Sequence, residues 1–265
     1  MGKIERLRAV LKELESVVVA YSGGLDSTFL LKAALDVLGR GNVIAVTARS
    51  ETYPEAEYKE AVKTAKKIGA RQEIIHTDEF ELENFRTNPV NRCYYCKKEL
   101  FKKLDGIRRK AGFRYLLDGT NYDDLKDIRY GRKAARELGV KSPLLEAKMT
   151  KPDIRRFSKR LGLPTWDKPS FACLASRIPF NSAISREDLR RIDSAEGCLR
   201  KLGFKQVRVR VHGNIARLEL SGKDILKAVK ARWMIAKKLR KLGFVYITLD
   251  LAGYRTGSMH EGVAK

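Results

Sequence analysis

The residues with the clearest chemical potential are Ser22-Gly23-Gly24-Leu25-Asp26-Ser27, between an apolar run from 17 to 21 and a second, helically spaced one from 28 to 38. The consecutive valines of the first run predict a buried strand, and the two glycines let the backbone turn tightly with its N–H groups accessible. A helix that starts there offers free N–H donors and the positive end of its dipole, with Asp26 or Ser27 as its expected N-cap. The stretch therefore predicts a strand, a phosphate-binding loop and a helix.

The loop has neither the Walker spacing nor the Gly-x-Gly-x-x-Gly spacing. Its pattern Ser-Gly-Gly-x-Asp-Ser resembles the PP-loop ATP pyrophosphatases, which split ATP between the α and β phosphates. The resemblance implies a pyrophosphate site formed by Ser22, Gly23, Gly24 and Ser27, with Asp26 serving Mg²⁺. An ordinary turn between a strand and a helix is the alternative, and it is disfavoured because strand, glycines, Asp and helix all coincide.

Thiols form the second chemical group. Cys93 and Cys96 open a predicted helix that runs towards Lys110, and two thiolates at this spacing converge on one metal atom or cluster. A single Cys-x-x-Cys leaves a redox pair, half a zinc site and part of an iron–sulfur site open, and no second motif follows to complete a zinc ribbon. Cys198, in an apolar helical stretch, is predicted to lie in the core.

Cys173 lies in a long irregular segment, 162 to 182, and loops of this length are usually functional. Arg177, four residues later, is a cation that favours a thiolate and binds phosphate or carboxylate groups. Arg208 and Arg210 alternate on one face of a predicted strand, where two guanidiniums can grip a phosphate. Arginines on a half-exposed strand are also often only solvated, so both interpretations stay open.

The composition of the 265 residues, with 43% hydrophobic and 33% charged residues, predicts a globular chain. No apolar run approaches the roughly 20 residues that span a bilayer, and the charged start lacks the core of a signal peptide, so we expect a cytoplasmic protein without a membrane partner. In that compartment four cysteines favour metal binding or catalysis over disulfides. The net charge of +23 fits a polyanionic partner, but it also fits the charged surface of a thermophilic protein.

Strands and helices alternate through the first part of the chain, which predicts an α/β fold with a doubly wound parallel sheet and a ligand at the carboxyl ends of the strands. The fourth strand runs into a turn with Asp118, Asp123, Asp124 and Asp127, which suits either Mg²⁺ or ordinary turn chemistry. From 185 onwards the order is helix, strand, strand, one long helix from 223 to 242, and strand. We therefore expect a PP-loop domain over 1–182 and a small α+β domain over 183–265 that completes the substrate site.

Taken together, the motifs resemble the LarE family, ATP-dependent sulfur transferases that make the pyridinium bisthiocarboxylate mononucleotide of the nickel-pincer cofactor. The motifs that carry the resemblance are the stretches 21–27, 91–96, 118–121, 164–169, 172–177, 207–211 and 253–259. The resemblance implies that the substrate, a pyridinium dicarboxylic acid mononucleotide, is adenylated and that sulfur then replaces AMP. It further implies that Arg208 and Arg210 bind the substrate phosphate, that Glu196 lies near the nucleotide ring with Arg177 as a neighbour, and that the protein is a homo-oligomer.

The family has two sulfur sources. In one form the cysteine at the position of Cys173 gives up its own sulfur, and in the other three cysteines hold a [4Fe-4S] cluster that carries an exchangeable sulfide from a sulfur donor. Cys93, Cys96 and Cys173 supply three thiolates, which favours the cluster form. The alternatives are a PP-loop tRNA thiolase, which the net charge favours, and a non-catalytic nucleic-acid-binding protein on the same scaffold.

Overall fold

The computed structural model describes residues 2–126, 130–169, 172–255 and 257–260. The chain divides into two compact units. The first comprises Met1–Ser50, Glu55–Leu82 and Asn91–Phe171, and the second comprises Glu51–Pro54, Glu83–Val90 and Ala172–Lys265. Asp127, which belongs to the predicted acidic turn, lies outside the described residues.

The second unit thus begins before the boundary expected from the sequence, and two short earlier segments belong to it. Asn88 shows why, because its side-chain amide donates to the carbonyl oxygens of Pro179 at 2.7 Å and Ser182 at 3.1 Å. Its own carbonyl accepts from the backbone N–H of Asn181 at 2.9 Å. The boundary at 182 as a division between folding domains stays a prediction.

The first unit alternates strands and helices. Its strands are β1 Val17–Ala20, β2 Val43–Arg49, β3 Arg71–His76 and β4 Tyr115–Leu117. Its helices are α1 Lys3–Lys12, α2 Leu25–Leu38, α3 Glu55–Lys67, α5 Arg92–Lys110, α6 Tyr130–Glu137, α7 Pro143–Glu146 and α8 Lys151–Arg160. The short helix α4, Glu83–Arg86, belongs to the second unit.

The four strands form a parallel sheet in the order β3-β2-β1-β4. Alternate residues of β1 point to opposite faces, so that Val17 and Val19 pack with α1, α2, α7 and α8, while Val18 packs with α5 and α6. Apolar cores on both faces confirm the predicted doubly wound parallel sheet. The carboxyl end of β1, where the phosphate loop starts, lies between its neighbours β2 and β4.

Besides α4, the second unit contains the strands β5 Val207–His212, β6 Ile215–Leu220 and β7 Tyr246–Leu249 and the helices α9 Arg186–Lys201, α10 Ile225–Lys230 and α11 Arg232–Arg240. The three strands form one sheet in the order β5-β6-β7. A tight turn joins β5 to β6 in antiparallel register, whereas β6 and β7 are parallel and need the intervening helices as a crossover.

The prediction of one continuous helix from 223 to 242 was wrong, because the chain bends at Ala231 between α10 and α11. The N–H of Ala231 still bonds to Lys227, and its carbonyl still accepts from Ile235. One of these bonds ends at Ala231 and the other begins there, and no glycine or proline interrupts the apolar spacing, so the sequence contains no sign of the bend.

Within the ranges that the structure describes, none of the helices combines the length and the apolar character that crossing a bilayer requires.

Candidate active site

The loop after β1 has the geometry of a phosphate-binding turn. Helix α2 starts at Leu25 with Gly24 as its N-cap, so the expectation that Asp26 or Ser27 caps the helix was wrong, and both residues lie in the first turn instead. Gly23 has a φ of +61°, and a Cβ on it would come within 2.5 Å of the Cβ of Ala61 in α3. Only glycine fits this position, because the loop needs a left-handed residue that leaves room for a neighbouring helix.

Hydroxyl groups line the same loop. The Oγ atoms of Ser22 and Ser27 are 3.1 Å apart, and Ser27 Oγ also accepts from the N–H of Ser22 at 3.3 Å. Gly119, just after β4, approaches so closely that a Cβ there would lie 3.1 Å from the backbone N of Ser27. The first turn of α2 is therefore contacted both by Ser22 and by the backbone at Gly119. Its hydroxyl and N–H groups are donors suited to phosphate oxygens.

Asp26 forms an ion pair with Lys151, the first residue of α8. The rings of Phe29 in α2 and Phe157 in α8 stack with centroids 6.3 Å apart, which fixes the two helices side by side. The backbone N–H of Lys151 donates to Asp123 at 2.7 Å, so the lysine is held at both ends. Lys151 is a site residue that sequence reasoning missed, because its contact with Asp26 depends on the packing of α8 against α2.

The acidic turn after β4 is used largely for turn chemistry. Asp118 accepts from the hydroxyl groups of Thr120 and Ser142, both at 2.7 Å. Asp124 accepts from the N–H of Asn121 at 3.1 Å. These contacts favour the structural interpretation for Asp118 and Asp124, and Asp26 stays the predicted carboxylate ligand of Mg²⁺.

Cys93 and Cys96 lie in the first two turns of α5, with Cys93 exposed and Cys96 half-buried. Cys96 lines a small cleft together with Thr77, Asp78 and Glu79, which follow β3. Burial raises the pKa of the Glu79 carboxyl group above its usual range, although the hydroxyl of Thr77 opposes the shift. This end of α5 is therefore placed at the carboxyl edge of the sheet, where the fold class predicts the ligand.

Cys173 lies in the second unit, directly before a short 3-10 turn from Leu174 to Arg177. The Arg177 side chain is fully buried, and its Nη1 donates to the carbonyl oxygens of Ala172 at 2.6 Å and Cys173 at 2.9 Å. Its Nε and Nη2 donate to the two carboxylate oxygens of Glu196 at 2.9 and 3.1 Å. The arginine thus holds the backbone on which the thiol sits, while the assignment of Arg177 and Glu196 to substrate binding stays a prediction.

Glu196 in α9 is the centre of this network. Besides Arg177 it accepts from Arg200 at 2.8 Å and from the backbone N–H of Val209 in β5 at 3.2 Å. Burial by itself would raise the pKa of Glu196, but the charge and hydrogen bonds of Arg177, together with the charges of Arg208 and Arg200, outweigh burial and hold the pKa below its usual range. The charged carboxylate of Glu196 therefore links α9 to β5 and to the turn at 173–177 that carries Cys173, called the thiol turn below.

Arg208 and Arg210 are both buried in β5, which corrects the expectation of a half-exposed strand. Burial and the neighbouring charge of Arg177 lower the pKa of Arg208 to about 10. Arg210 donates to the carbonyl oxygen of Ser176 and to Glu219, each at 2.8 Å. The second unit therefore brings together Arg177, Glu196, Arg208 and Arg210, and their assignment to the substrate site stays a prediction.

The carboxyl-terminal tail supplies residues that sequence reasoning did not assign. Ser258 accepts from Arg210 at 2.9 Å and donates to Glu219 at 2.7 Å. Arg208 lies over the ring of Tyr254 with its Cζ 5.4 Å from the ring centroid. The tail motif at 253–259 was the only sequence signal that could have pointed to these contacts, because they join residues far apart in the chain.

Cys93 and Cys96 belong to the first unit and Cys173 to the second. In the ranges that the structure describes, no three His, Cys, Asp or Glu side chains are grouped so that they could hold one metal ion. All three thiols are at least partly exposed and are ligands of the type that iron–sulfur clusters need. The donor chemistry fits the cluster, which stays a prediction.

The sequence was compared with known proteins. The family model described as NAD synthase matches residues 5–90. An uncharacterized protein of Synechocystis is 43% identical over 266 residues, which cover 100% of this chain and 99% of that protein. The pyridinium-3,5-bisthiocarboxylic acid mononucleotide synthase of Lactiplantibacillus plantarum is 39% identical over 259 residues, covering 98% of this chain and 94% of that protein. An uncharacterized protein of Methanocaldococcus jannaschii is 32% identical over 97% of this chain.

Proposed function

The chain belongs to the LarE family of PP-loop sulfur transferases, and on that premise we propose that it converts the carboxylates of pyridinium-3,5-dicarboxylic acid mononucleotide into thiocarboxylates for the nickel-pincer cofactor. Each conversion uses one ATP and yields AMP and pyrophosphate. A carboxylate is a poor electrophile until it becomes a mixed anhydride, which is why the reaction needs ATP.

In the first step a substrate carboxylate oxygen attacks the α phosphorus of ATP, and pyrophosphate leaves. The N–H groups and hydroxyls of the loop 22–27 bind the phosphate oxygens as negative charge moves onto the leaving group. Asp26 is the proposed ligand of Mg²⁺, which when bound helps to neutralise the pyrophosphate. When ATP binds, Lys151 either exchanges its contact with Asp26 for one with the phosphates or keeps that contact and acts as a second cation beside the phosphates.

In the second step a sulfur nucleophile attacks the acyl carbon of the anhydride, and AMP leaves. We propose that Cys93, Cys96 and Cys173 hold a [4Fe-4S] cluster, which when bound supplies an exchangeable sulfide for this attack. Arg177 keeps the backbone of Cys173 in one conformation through its two carbonyl contacts. The alternative source is the sulfur of Cys173 itself, which would limit each chain to one reaction.

The second unit carries the proposed site for the substrate phosphate. Among the described residues, Arg177 and Arg200 pair with Glu196, Arg210 pairs with Glu219, and the charge of Glu196 also acts on Arg208. The buried positive side chains of Arg177, Arg208 and Arg210 favour an anion, because burial and repulsion by the charge of Arg177 both lower the pKa of Arg208. A phosphate dianion would relieve that repulsion.

The observation that carries the proposal is the phosphate loop with Asp26 in the first turn of α2. The test measures AMP and pyrophosphate release from ATP by anaerobically purified protein, with the dicarboxylate mononucleotide or bulk tRNA as acceptor. We expect release with the mononucleotide and loss of at least about 100-fold in Asp26→Asn. The matched control is Asp36→Asn, which removes an exposed carboxylate from the same helix. Unchanged release in Asp26→Asn, or release with tRNA alone, would contradict the proposal.

The sulfur source is tested separately by iron content and by the number of turnovers per chain. With a cluster, the anaerobic protein binds iron, performs several turnovers with added sulfide, and loses both properties in Cys93→Ser. Cys198→Ser is the matched control, because that half-buried cysteine lies in α9 and is not one of the proposed ligands. Protein without iron whose turnover stops after one reaction per chain would instead identify Cys173 as a sacrificial donor.

Transfer of sulfur to tRNA is the second candidate, and the outer surface of α10 and α11 favours it. Trp233 is 74% exposed there, Lys237 lies four residues away on the same face of α11, and the Cζ of Arg232 is 5.4 Å from the centroid of the Trp233 ring. Basic side chains around an exposed aromatic ring suit a nucleic-acid backbone with a stacked base. If tRNA is the acceptor, Trp233→Ala lowers the rate with tRNA and leaves the rate with the mononucleotide unchanged.

Family membership also leads us to propose a homo-oligomer that works in the cytoplasm, where ATP is available. Light scattering of the purified protein at several concentrations tests the oligomeric state.

A further inference from the structure

A lysine outside the phosphate loop touches the loop backbone. The ammonium group of Lys168 donates to the carbonyl oxygen of Gly23 at 3.2 Å. It also forms ion pairs in α3, at 2.8 Å with Glu57 and at 3.2 Å with Glu60. The Lys168 side chain is only 10% exposed and that of Glu57 18%, so this ion pair is shielded from water and stronger than that of a surface lysine, whereas Glu60 is 46% exposed.

The backbone that carries Lys168 is itself held in place. Arg155 in α8 donates from Nη1 to the carbonyl oxygen of Trp166 at 2.8 Å and from Nη2 to that of Lys168 at 2.9 Å. The N–H of Lys168 bonds to the carbonyl of Thr165 at 3.1 Å. These hydrogen bonds fix the backbone at Lys168, which restricts the positions that its ammonium group can take.

The contact with Gly23 matters because of the geometry of the peptide bond. The carbonyl of Gly23 and the N–H of Gly24 belong to one planar trans peptide, so they point in opposite directions. When Lys168 holds the carbonyl, the N–H of Gly24 is aimed away from Lys168. A peptide between two glycines has no Cβ on either side to restrict its rotation, so an external contact has to set its orientation.

We propose that Lys168 is a positioning residue that orients the Gly23–Gly24 peptide, so that the Gly24 N–H is available to the phosphates of ATP. The inference deepens the proposed function and rests on it, since it concerns the affinity of the same loop for nucleotide. Lys168 also offsets the charges of Glu57 and Glu60, which would otherwise repel a polyphosphate from this side of α3.

The test compares the Kd for ATP of wild type, Lys168→Met and Lys168→Arg, measured by calorimetry on the full chain. We expect about a tenfold weaker Kd in Lys168→Met, and recovery to within about threefold in Lys168→Arg, because arginine also donates to a carbonyl. Lys159→Met is the matched control, since that exposed lysine lies over the Trp166 ring, 4.7 Å from its centroid, and is expected to leave the Kd unchanged.

Adenosine separates orientation of the loop from general damage. Its affinity is expected to be equal in wild type and Lys168→Met because it has no phosphate, whereas a loosened fold would weaken adenosine and ATP together. A Lys168→Met variant with the wild-type Kd for ATP, or one that loses adenosine equally, overturns the proposal.

The triple variant K168M/E57Q/E60Q separates orientation from charge. This variant removes the carboxylates of Glu57 and Glu60, but the carbonyl of Gly23 still lacks the hydrogen bond from Lys168. Its affinity for ATP is therefore expected to stay weak. Return to the wild-type Kd would show that Lys168 acts only by neutralising the carboxylates, and would overturn the positioning role. Wild-type protein that binds ATP but releases no AMP with the mononucleotide contradicts the proposed function and leaves the Lys168 comparison intact.

Discussion

Replacement of Gly23 by alanine probes the phosphate loop most directly, because the structure gives two separate reasons for glycine at that position. The φ of +61° is in the left-handed region, and the Cβ of an alanine would lie 2.5 Å from the Cβ of Ala61 and 2.8 Å from its Cα. Gly24 is the matched control. A Cβ there meets only the Oγ of Ser22 at 3.5 Å, an ordinary contact, and the backbone is extended with a φ of −78°.

The positive φ and the overlap with Ala61 each lower the free energy of unfolding of Gly23→Ala. A left-handed alanine costs about 1–2 kcal/mol. The overlap with the Cβ and Cα of Ala61 requires the loop or α3 to move, and overpacking of this kind costs about 1–3 kcal/mol. Gly23→Ala is therefore expected to lower the free energy of unfolding by about 2–5 kcal/mol, whereas Gly24→Ala is expected to cost less than about 1 kcal/mol.

Urea unfolding of the two variants, together with Ala61→Gly and the double variant Gly23→Ala/Ala61→Gly, separates the contributions. Ala61→Gly removes the atom that the new Cβ would overlap but leaves the φ strain, so the coupling energy of the cycle reports the steric part alone. We expect a coupling of about 1–3 kcal/mol in the direction of rescue. Equal stabilities of Gly23→Ala and Gly24→Ala, or a coupling near zero, would refute the close packing of the loop against α3.

Two further predictions concern charged groups. Burial would raise the pKa of Asp153, but hydrogen bonds from Lys3 and Thr150 outweigh it and lower the pKa to about 2. Asp153→Asn is therefore expected to cost about 2 kcal/mol at pH 7, and in urea titrations this difference should shrink as the pH falls below about 4, since a lowered carboxyl pKa stabilises the fold only above that range. Glu196→Gln leaves the buried Arg177 without its carboxylate and is expected to cost about 3 kcal/mol, against less than about 1 kcal/mol for exposed Glu187→Gln in the same helix. Equal costs of these two changes would mean that the Arg177–Glu196 pair does not hold the second unit together.

Local sequence signals predicted the local structure well. Thr150 and Asp153 have the spacing that is typical of a capping box, and the structure has both of its hydrogen bonds. The valines before Ser22 indicated a buried strand, and β1 pairs on both sides in the parallel sheet. Such features depend on residues within a turn or two of each other, so the sequence contains all that is needed to infer them.

Contacts between distant segments were the ones that the sequence did not reveal. Alternating Val and Arg in β5 is typical of a strand with one solvent-exposed face. In the structure both faces are covered, and Arg210 donates to Ser176 and Glu219. Lys151 and Lys168 look like two of many lysines in a strongly basic chain. Only the packing of α8 and of the segment after it brings their ammonium groups to Asp26 and Gly23.

The buried Arg177–Glu196 pair shows why such polar groups are kept in an interior. An isolated buried ion pair can often be replaced by hydrocarbon at no cost in stability. Here Arg177 also holds the carbonyl oxygens of Ala172 and Cys173, and Glu196 also holds the N–H of Val209, so apolar replacements would leave three backbone groups without these partners. Lysine could not take the place of arginine, because one ammonium group cannot reach a carboxylate and two carbonyls in the fork geometry that the guanidinium provides. The conformation of the thiol turn and the charge of the surrounding cluster therefore depend on the same side chain, and no substitution at 177 can change one without the other.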